Sequence, residues 1–333
     1  FFNPKRDYTR EKMKWLPVLE RMNKVQKHRG PDEDGTYLSS ACGFAHVRLK
    51  IIDLLTGEQP MVRRCGETEF AIVFNGEIYN MHELKESLTA EGASFETASD
   101  TEVILVGYML HGREFIKRLN GIFAAAIWDS HSKTLCLFRD RLGVKPLFYT
   151  KKDDTFIFSS EIKGLFAYPG VEPVLDKNGL CEIFALGPAK SYGKGVFKDI
   201  FEVLPGHVLT LDRYSYSDKA YWRLESRPHE DSMKTTIEKT AWLFSDAVKK
   251  QMLSDIPIST FLSGGIDSSL VTAVCAEELK KQGKTLHTFS FDFTDNQKYF
   301  KSNAFQPSQD RPFVEQMVSH CGTDHRYLEC GNK

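Results

Sequence analysis

The sequence predicts two successive units, a layered α+β domain and an α/β domain whose parallel sheet is doubly wound. In the first two-thirds of the chain, short segments rich in aromatic and β-branched residues are bounded by Gly, Asp and Asn, and helical patterns are set apart from them. After residue 232, strand and helix patterns follow in the order βαβαβ, which favours a parallel sheet. A glycine-rich turn at 263–269 follows the first of these strands, at the edge where such sheets bind ligands.

The first domain is predicted to cover residues 1–212, with a linker at 213–231 that is polar and lacks a periodic pattern. Two helices are predicted, at 81–91 and 100–111, because apolar residues recur on one side of each and a glycine follows each. The expected strands are 36–40, 42–49, 70–74, 122–129, 134–139, 147–150 and 155–159.

The second domain is predicted to begin at residue 232 and to continue to residue 333. Ser232 is expected to open a long helix with one apolar stripe, which should pack against a sheet. The stripe consists of Ile237, Ala241, Phe244, Val248 and Met252. The elements expected after it are a strand at 257–262, a helix at 268–282, a strand at 286–291, a helix at 310–321 and a strand around 326–328.

Composition excludes some classes of partner. The 333 residues are 41% hydrophobic and 27% charged, with a net charge of −1, so no basic excess points to nucleic acid or to an anionic membrane surface. No apolar stretch approaches the length of a membrane span. The seven cysteines are an odd number without a C-x-x-C pair or zinc spacing, and we expect reduced thiols in a cytoplasmic protein.

The turn at 263–269 has the chemistry of a phosphate site. A glycine-rich turn at a helix N-terminus presents backbone N–H groups and the positive end of the helix dipole to an anion. The G-x-x-x-x-G-K-[ST] spacing is absent and no lysine follows the glycines, so chemistry at a terminal phosphate is disfavoured. The alternative is a plain surface turn with an incidental Asp.

Three stretches of the first domain, 46–49, 75–80 and 99–102, combine polar side chains with tight turns. Arg48 in a half-buried strand requires a carboxylate partner, since only a planar group satisfies its fork of donors. Asn75 and Gly76 supply a side-chain donor next to a backbone N–H, the parts of an oxyanion hole. Glu77 and Asp100 could together hold a cationic amine. The sequence thus predicts a pocket for an amino acid whose side-chain carbonyl is attacked.

Each of these stretches also has a plain structural reading. Arg48 could pair with an internal acid, residues 75–76 could form a simple turn, and Asp100 could only cap the following helix.

The chain resembles the glutamine-dependent asparagine synthetases along essentially its whole length. The matching stretches are 28–32, 75–80, 123–129, 139–149, 160–163, 204–207 and 263–269. The resemblance implies an N-terminal nucleophile glutaminase of αββα layers, joined to an ATP-pyrophosphatase synthetase domain that is incomplete here.

The resemblance also implies site roles and substrates. Arg48 would hold the glutamine α-carboxylate, Glu77 and Asp100 its α-ammonium, and Asn75 with the Gly76 N–H would form the oxyanion hole. Mg²⁺ would lie close to Asp267. ATP would be bound by the loop residues and by two apolar residues that flank the adenine: Ser263, Gly264, Gly265, Asp267, Ser268, Ser269, Leu262 and Phe291.

The implied reaction is asparagine synthesis from aspartate, ATP and glutamine through β-aspartyl-AMP, with AMP and pyrophosphate as products. The family begins with Cys-Gly-Ile-x-Gly, whose cysteine is the nucleophile, whereas this chain begins at Phe1 and ends at Lys333, so we expect a partial chain of a longer protein. Relatives imply a homodimer. The alternatives are a synthetase of the same plan with another carboxylate acceptor, such as a β-lactam synthetase, and a non-catalytic nucleotide-binding protein with a decayed glutaminase site.

Overall fold

The computed structural model describes residues 1–304 and 307–331, which fall into two compact units. The first unit runs from Phe1 to Ser226 and the second begins at Arg227. No helix of the described ranges combines the length and the apolar character that a membrane crossing requires.

The first unit contains five helices and eleven strands among its regular elements. The helices are α1 (Lys12–Lys24), α2 (Met81–Ala90), α3 (Asp100–His111), α4 (Ile162–Phe166) and α5 (Lys177–Leu186). The strands are β1 (Glu33–Leu38), β2 (Gly43–Arg48), β3 (Met61–Cys65), β4 (Thr68–Ile78), β5 (Gly121–Asp129), β6 (Thr134–Arg139), β7 (Phe148–Lys152), β8 (Thr155–Ser159), β9 (Phe201–Glu202), β10 (His207–Leu211) and β11 (Tyr216–Ala220).

Two sheets form the middle of this unit. The first is antiparallel in the order β11-β10-β6-β5-β4-β3. The second joins the pair β1-β2 to the set β8-β7-β9 through Phe2, which forms bridges to both Cys42 and Phe156. Apolar side chains from both sheets, including Phe44, Trp128 and Leu209, form one buried cluster. The unit is therefore a sandwich of two sheets around a shared core.

Helices cover the outer faces of the sandwich. Helix α3 packs on β3 and β4 of the first sheet, and α2 packs on α3. Helices α1 and α4 pack on the second sheet, where Trp15 and Leu19 join a separate buried cluster with Phe1. This arrangement confirms the predicted αββα layers.

Some elements of the first unit differ from the sequence prediction. Helix α1 was not predicted, although Trp15, Val18, Leu19 and Met22 are buried at helical spacing. Pro17 lies inside this helix, and a proline within a segment argues against a helix in a sequence-based prediction. Helix α5 was also missed. Within the predicted linker 213–231, Tyr216–Ala220 pairs with β10 as strand β11. This edge strand is mostly exposed, so it lacks the apolar alternation that marks a strand in a sequence.

The second unit contains a parallel sheet. Its strands are β12 (Ser259–Phe261), β13 (His287–Phe293) and β14 (Asp324–Cys330), paired in chain order. Its helices are α6 (Met233–Lys250), α7 (Ile266–Lys281), the short α8 (Asn296–Tyr299) and α9 (Arg311–Cys321).

The predicted βαβαβ order is confirmed, and Ser232 caps α6 as expected by accepting a hydrogen bond from the Thr235 N–H. Helix α6 packs against α7 rather than lying directly on the sheet, and Ile237 of its predicted stripe is exposed. Helices α7 and α9 contact each other, which places both connections on one face of the described strands. A doubly wound sheet carries helices on both faces, and the described residues show α7 and α9 on one of those faces.

Candidate active site

A cavity of about 480 Å³ lies in the first unit and brings together all five residues predicted for the glutamine site. Its wall includes Arg48 at the end of β2, three consecutive residues of β4, namely Asn75, Gly76 and Glu77, and Asp100 at the start of α3. The two sheets and helix α3 thus contribute the side chains that the sequence separates by up to 52 positions, from 48 to 100.

The Gly76 N–H faces the open edge of β4. Strand β4 pairs with β5 as far as Ile78, but with β3 only as far as Ile72. Beyond that point the Phe74 N–H donates to Oε1 of Gln59 at 2.7 Å, and the Ile78 N–H donates to Oδ2 of Asp100 at 3.1 Å. N–H groups two residues apart on a strand point to the same side, so the N–H of Gly76 also points to this edge.

Only glycine fits at position 76. A Cβ atom there would lie 2.1 Å from the Ile122 carbonyl oxygen and 2.6 Å from the Phe123 Cα. Both are backbone atoms of the neighbouring strand, so they cannot move aside as a side chain would. The close approach of β4 to β5 therefore explains the glycine next to Asn75, and the turn reading of residues 75–76 is wrong.

The Asn75 residue lines the same cavity as Gly76. Its Nδ2 atom donates to the Ser160 hydroxyl at 3.4 Å. An amide nitrogen carries two hydrogens, so one remains for a ligand. Asn75 and Gly76 together supply two donors to the same cavity, which is the arrangement that stabilises a tetrahedral oxyanion.

Arg48 is held by three hydrogen bonds. Its guanidinium donates to Oε2 of Glu33 at 3.2 Å and to the carbonyl oxygens of Ile52 and Asp53 at 3.0 and 2.7 Å. These bonds use three of five N–H donors and leave the group available for a carboxylate in the cavity. The predicted pairing with an acid of the chain is therefore also present.

Asp100 and Glu77 make this end of the cavity acidic. Asp100 is 5% exposed, and burial, opposed by hydrogen bonds from the backbone and reinforced by nearby Glu77, raises its pKa to about 6. Burial also raises the pKa of Glu77, while Lys145 opposes this effect. The cap of α3 is Ser99, which accepts a hydrogen bond from the Thr101 N–H, so the reading of Asp100 as the cap is wrong. Two carboxylates that are costly to ionise alone are suited to a bound ammonium group.

Several residues of the cavity were not predicted from the sequence. Gln59 closes the edge of β4 by bonding both the N–H and the carbonyl of Phe74. Lys145 and Ser160 line the cavity as well. Lys145 and Ser160 lie in stretches that carried the family resemblance, so the sequence could have indicated them as site residues. Nothing in the sequence around Gln59 indicates that it lines a site.

The loop of the second unit has the geometry of an anion site. It connects β12 to α7, and α7 begins at Ile266, two residues earlier than predicted. Gly265 precedes the helix without a capping side chain, so the first N–H groups of α7 lack that partner. The Ser263 and Ser268 hydroxyls lie 2.9 Å apart, which fixes the loop against the first helical turn.

Gly264 has a positive φ of 78°, and a Cβ there would lie 2.9 Å from the Asp310 carbonyl oxygen. The loop therefore approaches the start of α9 closely. Ser269 belongs to the first turn of α7, where its N–H bonds to the Gly265 carbonyl.

The other residues predicted to bind ATP lie nearby in the sheet. Leu262 follows β12 and is fully buried, and its N–H donates to the Phe289 carbonyl oxygen at 2.8 Å. Its predicted place beside an adenine ring stays a prediction. Phe291 lies two residues further along β13, at the same edge, and is 59% exposed. Asp267 is exposed in the first turn of α7, and the described residues contain no group of three potential metal ligands.

Comparison with known proteins supports both units. Residues 6–222 match the glutamine amidotransferase domain family, and residues 239–333 match the asparagine synthase family. The chain is 42% identical over 320 residues to asparagine synthetase [glutamine-hydrolyzing] 3 of Bacillus subtilis, covering 96% of this chain and 52% of that protein. It is 37% identical to asparagine synthetase [glutamine-hydrolyzing] 2 of the same organism, covering 82% of this chain and 37% of that protein. It is 36% identical to asparagine synthetase [glutamine-hydrolyzing] 1 of that organism, covering 83% of this chain and 43% of that protein.

The chain spans about half the length of these relatives or less. They confirm the predicted resemblance to glutamine-hydrolysing asparagine synthetases. Because the first match covers most of the chain and coincides with the unit that holds the cavity, the chain belongs to the glutamine amidotransferase domain family.

Proposed function

We propose that this chain forms the glutaminase domain and the first part of the synthetase domain of an ATP-dependent ligase that makes asparagine from aspartate and the amide nitrogen of glutamine. The observation that carries the proposal is the pair of donors at the open edge of β4. Arg48, Glu77 and Asp100 surround that pair with the charges that an α-amino acid requires, and the relatives at 36–42% identity support the assignment.

In the first domain, Arg48 holds the α-carboxylate of glutamine and the two acids hold its α-ammonium. A thiolate attacks the amide carbon, and the carbonyl oxygen becomes an oxyanion that accepts hydrogen bonds from the Asn75 amide and the Gly76 N–H. Collapse of this intermediate expels ammonia after its nitrogen gains a proton, and water then releases glutamate from the thioester.

The proposed nucleophile is a cysteine five residues ahead of Phe1, in a Cys-Gly-Ile-x-Gly segment. Phe1 lines the cavity, and Phe2 is paired between Cys42 and Phe156. The C-terminal end of a segment joined ahead of Phe1 would therefore lie at the cavity wall. None of the seven cysteines of the chain can replace it, since none carries the free α-amine that would act as its base.

In the second domain, the N–H groups of the loop and of the first turn of α7 bind the phosphates of ATP. The β-carboxylate of aspartate attacks the α-phosphorus, pyrophosphate leaves, and ammonia then displaces AMP. The exposed Asp267 carboxylate fits Mg²⁺, which binds through one or two carboxylates together with substrate phosphates. The ion would neutralise charge on the departing pyrophosphate.

We further propose a cytoplasmic homodimer. All seven cysteines are free thiols, as expected in a reducing compartment. The homodimer depends on the resemblance, and sedimentation of the full-length protein would test it.

The glutaminase assignment is tested by adding the proposed nucleophile segment. We define the extended protein as the chain with Cys-Gly-Ile-x-Gly joined ahead of Phe1. We expect the 333 residues alone to release no glutamate from glutamine, and the extended protein to release it. A comparable rate of glutamate release from both would contradict the placement of the nucleophile.

A further inference from the structure

Ser160 lies at the junction of the two sheets, beside the oxyanion-hole amide. It follows the last residue of β8 in the second sheet, whereas Asn75 belongs to β4 in the first sheet. The 3.4 Å hydrogen bond from Asn75 Nδ2 to the Ser160 hydroxyl therefore connects the sheets across the cavity. Both side chains line that cavity.

The backbone around Ser160 is anchored on both sides. The Ser159 hydroxyl donates to Oε1 of Gln26 at 3.2 Å and accepts the Glu161 N–H at 3.3 Å. The position of Ser160 is thus tied to the segment that follows α1.

Glu161 adds a second anchor. Its carboxylate contacts His28 at 2.9 Å, Arg29 at 3.0 Å and Lys163 at 2.9 Å. Burial raises the pKa of Glu161, but the hydrogen bonds from these three partners outweigh it and lower the pKa to about 2. Glu161 therefore stays ionised at neutral pH and keeps its three partners. The contacts of Ser159 and Glu161 therefore hold the backbone on both sides of Ser160.

The hydrogen bond to the Ser160 hydroxyl restricts the Asn75 side chain. An amide is planar, so when one hydrogen of Nδ2 is bound to Ser160, the direction of the other hydrogen is set. Catalysis by an oxyanion hole depends on donors that are already aimed at the developing charge, since no energy is then spent on turning them during the reaction.

We propose that Ser160 is a positioning residue for glutamine hydrolysis, which orients the Asn75 amide toward the oxyanion. The inference builds on the proposed function. Ser160 acts through Asn75 and need not touch glutamine, so its removal should lower kcat and leave KM for glutamine unchanged.

The test is a double-mutant cycle in the extended protein, with glutamate release as the measurement. Ser160→Ala should lower kcat about 10-fold, because the amide is loosened rather than removed. In an Asn75→Ala background the same substitution should change kcat by less than about 2-fold, since there is no amide left to orient. Ser132→Ala, in the exposed hairpin after β5, is the matched control and should leave kcat unchanged.

Four outcomes would decide the matter. Equal losses from Ser160→Ala in both backgrounds, or a loss that appears in KM, would overturn the positioning role. A loss that tracks a fall in thermal melting temperature would also overturn it, since that pattern reports stability. If the extended protein with no other change releases no glutamate, the proposed function fails instead.

Discussion

At the scale of single residues, Asp100 combines burial with a charge that the proposed glutamine site requires. In the folded protein its pKa is raised from 3.8 to about 6, so its ionisation at neutral pH costs stability. The cost is absent below pH 4, grows as pH rises through the interval up to 6, and stays constant above that. Across this interval the free energy of unfolding falls by about 3 kcal/mol at most, since a pKa difference of one unit corresponds to ~1.4 kcal/mol.

We therefore predict that Asp100→Asn raises the free energy of unfolding. Asn still offers an oxygen to the Ile78 N–H but carries no charge, so the gain should be up to about 3 kcal/mol at pH 7.5 and should shrink toward zero as pH falls from 6 toward 4. Urea denaturation at several pH values measures this. The same variant of the extended protein should lose kcat/KM for glutamine. A gain in stability that does not depend on pH would contradict the assignment of the charge to this residue.

Asn75 and Arg48 should affect different kinetic constants. In the extended protein, Asn75→Ala should lower kcat for glutamate release by roughly 10²–10³, with little change in KM, since an oxyanion donor acts mainly in the transition state. Arg48→Ala should raise KM for glutamine, because a carboxylate clamp acts in the ground state and the transition state alike. Steady-state kinetics of the two variants checks this, and the reverse pattern would exchange the two roles.

At the scale of elements, the pairing of β4 with β5 depends on Gly76. Gly76→Ala would place a methyl group 2.1 Å from the Ile122 carbonyl oxygen, so the strands must separate. We predict a loss of about 1–3 kcal/mol in the free energy of unfolding, as for other overpacked sites. Gly331→Ala is the matched control, because its nearest neighbour would be 3.9 Å away. Equal melting temperatures for both variants and the parent chain would refute the close approach.

The elements that the sequence could predict are those whose pattern follows from burial. Strand β5 and helix α3 are mostly buried, so their composition marks them. Strand β11 is held by backbone bonds to β10 while its side chains are mostly exposed, so composition did not mark it. Charged and amide side chains of the proposed glutamine site were predicted because the chemistry requires them. Gln59, which bonds to Phe74 of β4 and to the Thr101 hydroxyl, was not predicted because its surrounding sequence has no comparable pattern.

At the scale of the whole molecule, each unit has a buried cluster of its own. The first unit contains the cavity and two clusters of buried apolar side chains. In the second unit, Cys275, Leu279 and Leu286 form a separate buried cluster. We therefore expect the two activities to be separable by substitution. Free ammonia should replace glutamine in the full-length protein, and Asp267→Asn should abolish pyrophosphate release while glutamate release persists.

The most direct test of the central claim is the identity of the nucleotide product formed by the full-length protein with ATP, Mg²⁺, glutamine and a carboxylate acceptor. We expect AMP and pyrophosphate, in amounts that depend on aspartate, because the proposed phosphate loop at 263–269 has no lysine for a terminal phosphate. Dependence on another carboxylate would move the assignment to an amidotransferase with a different acceptor. ADP as the product would contradict the loop assignment and, with it, the proposed function.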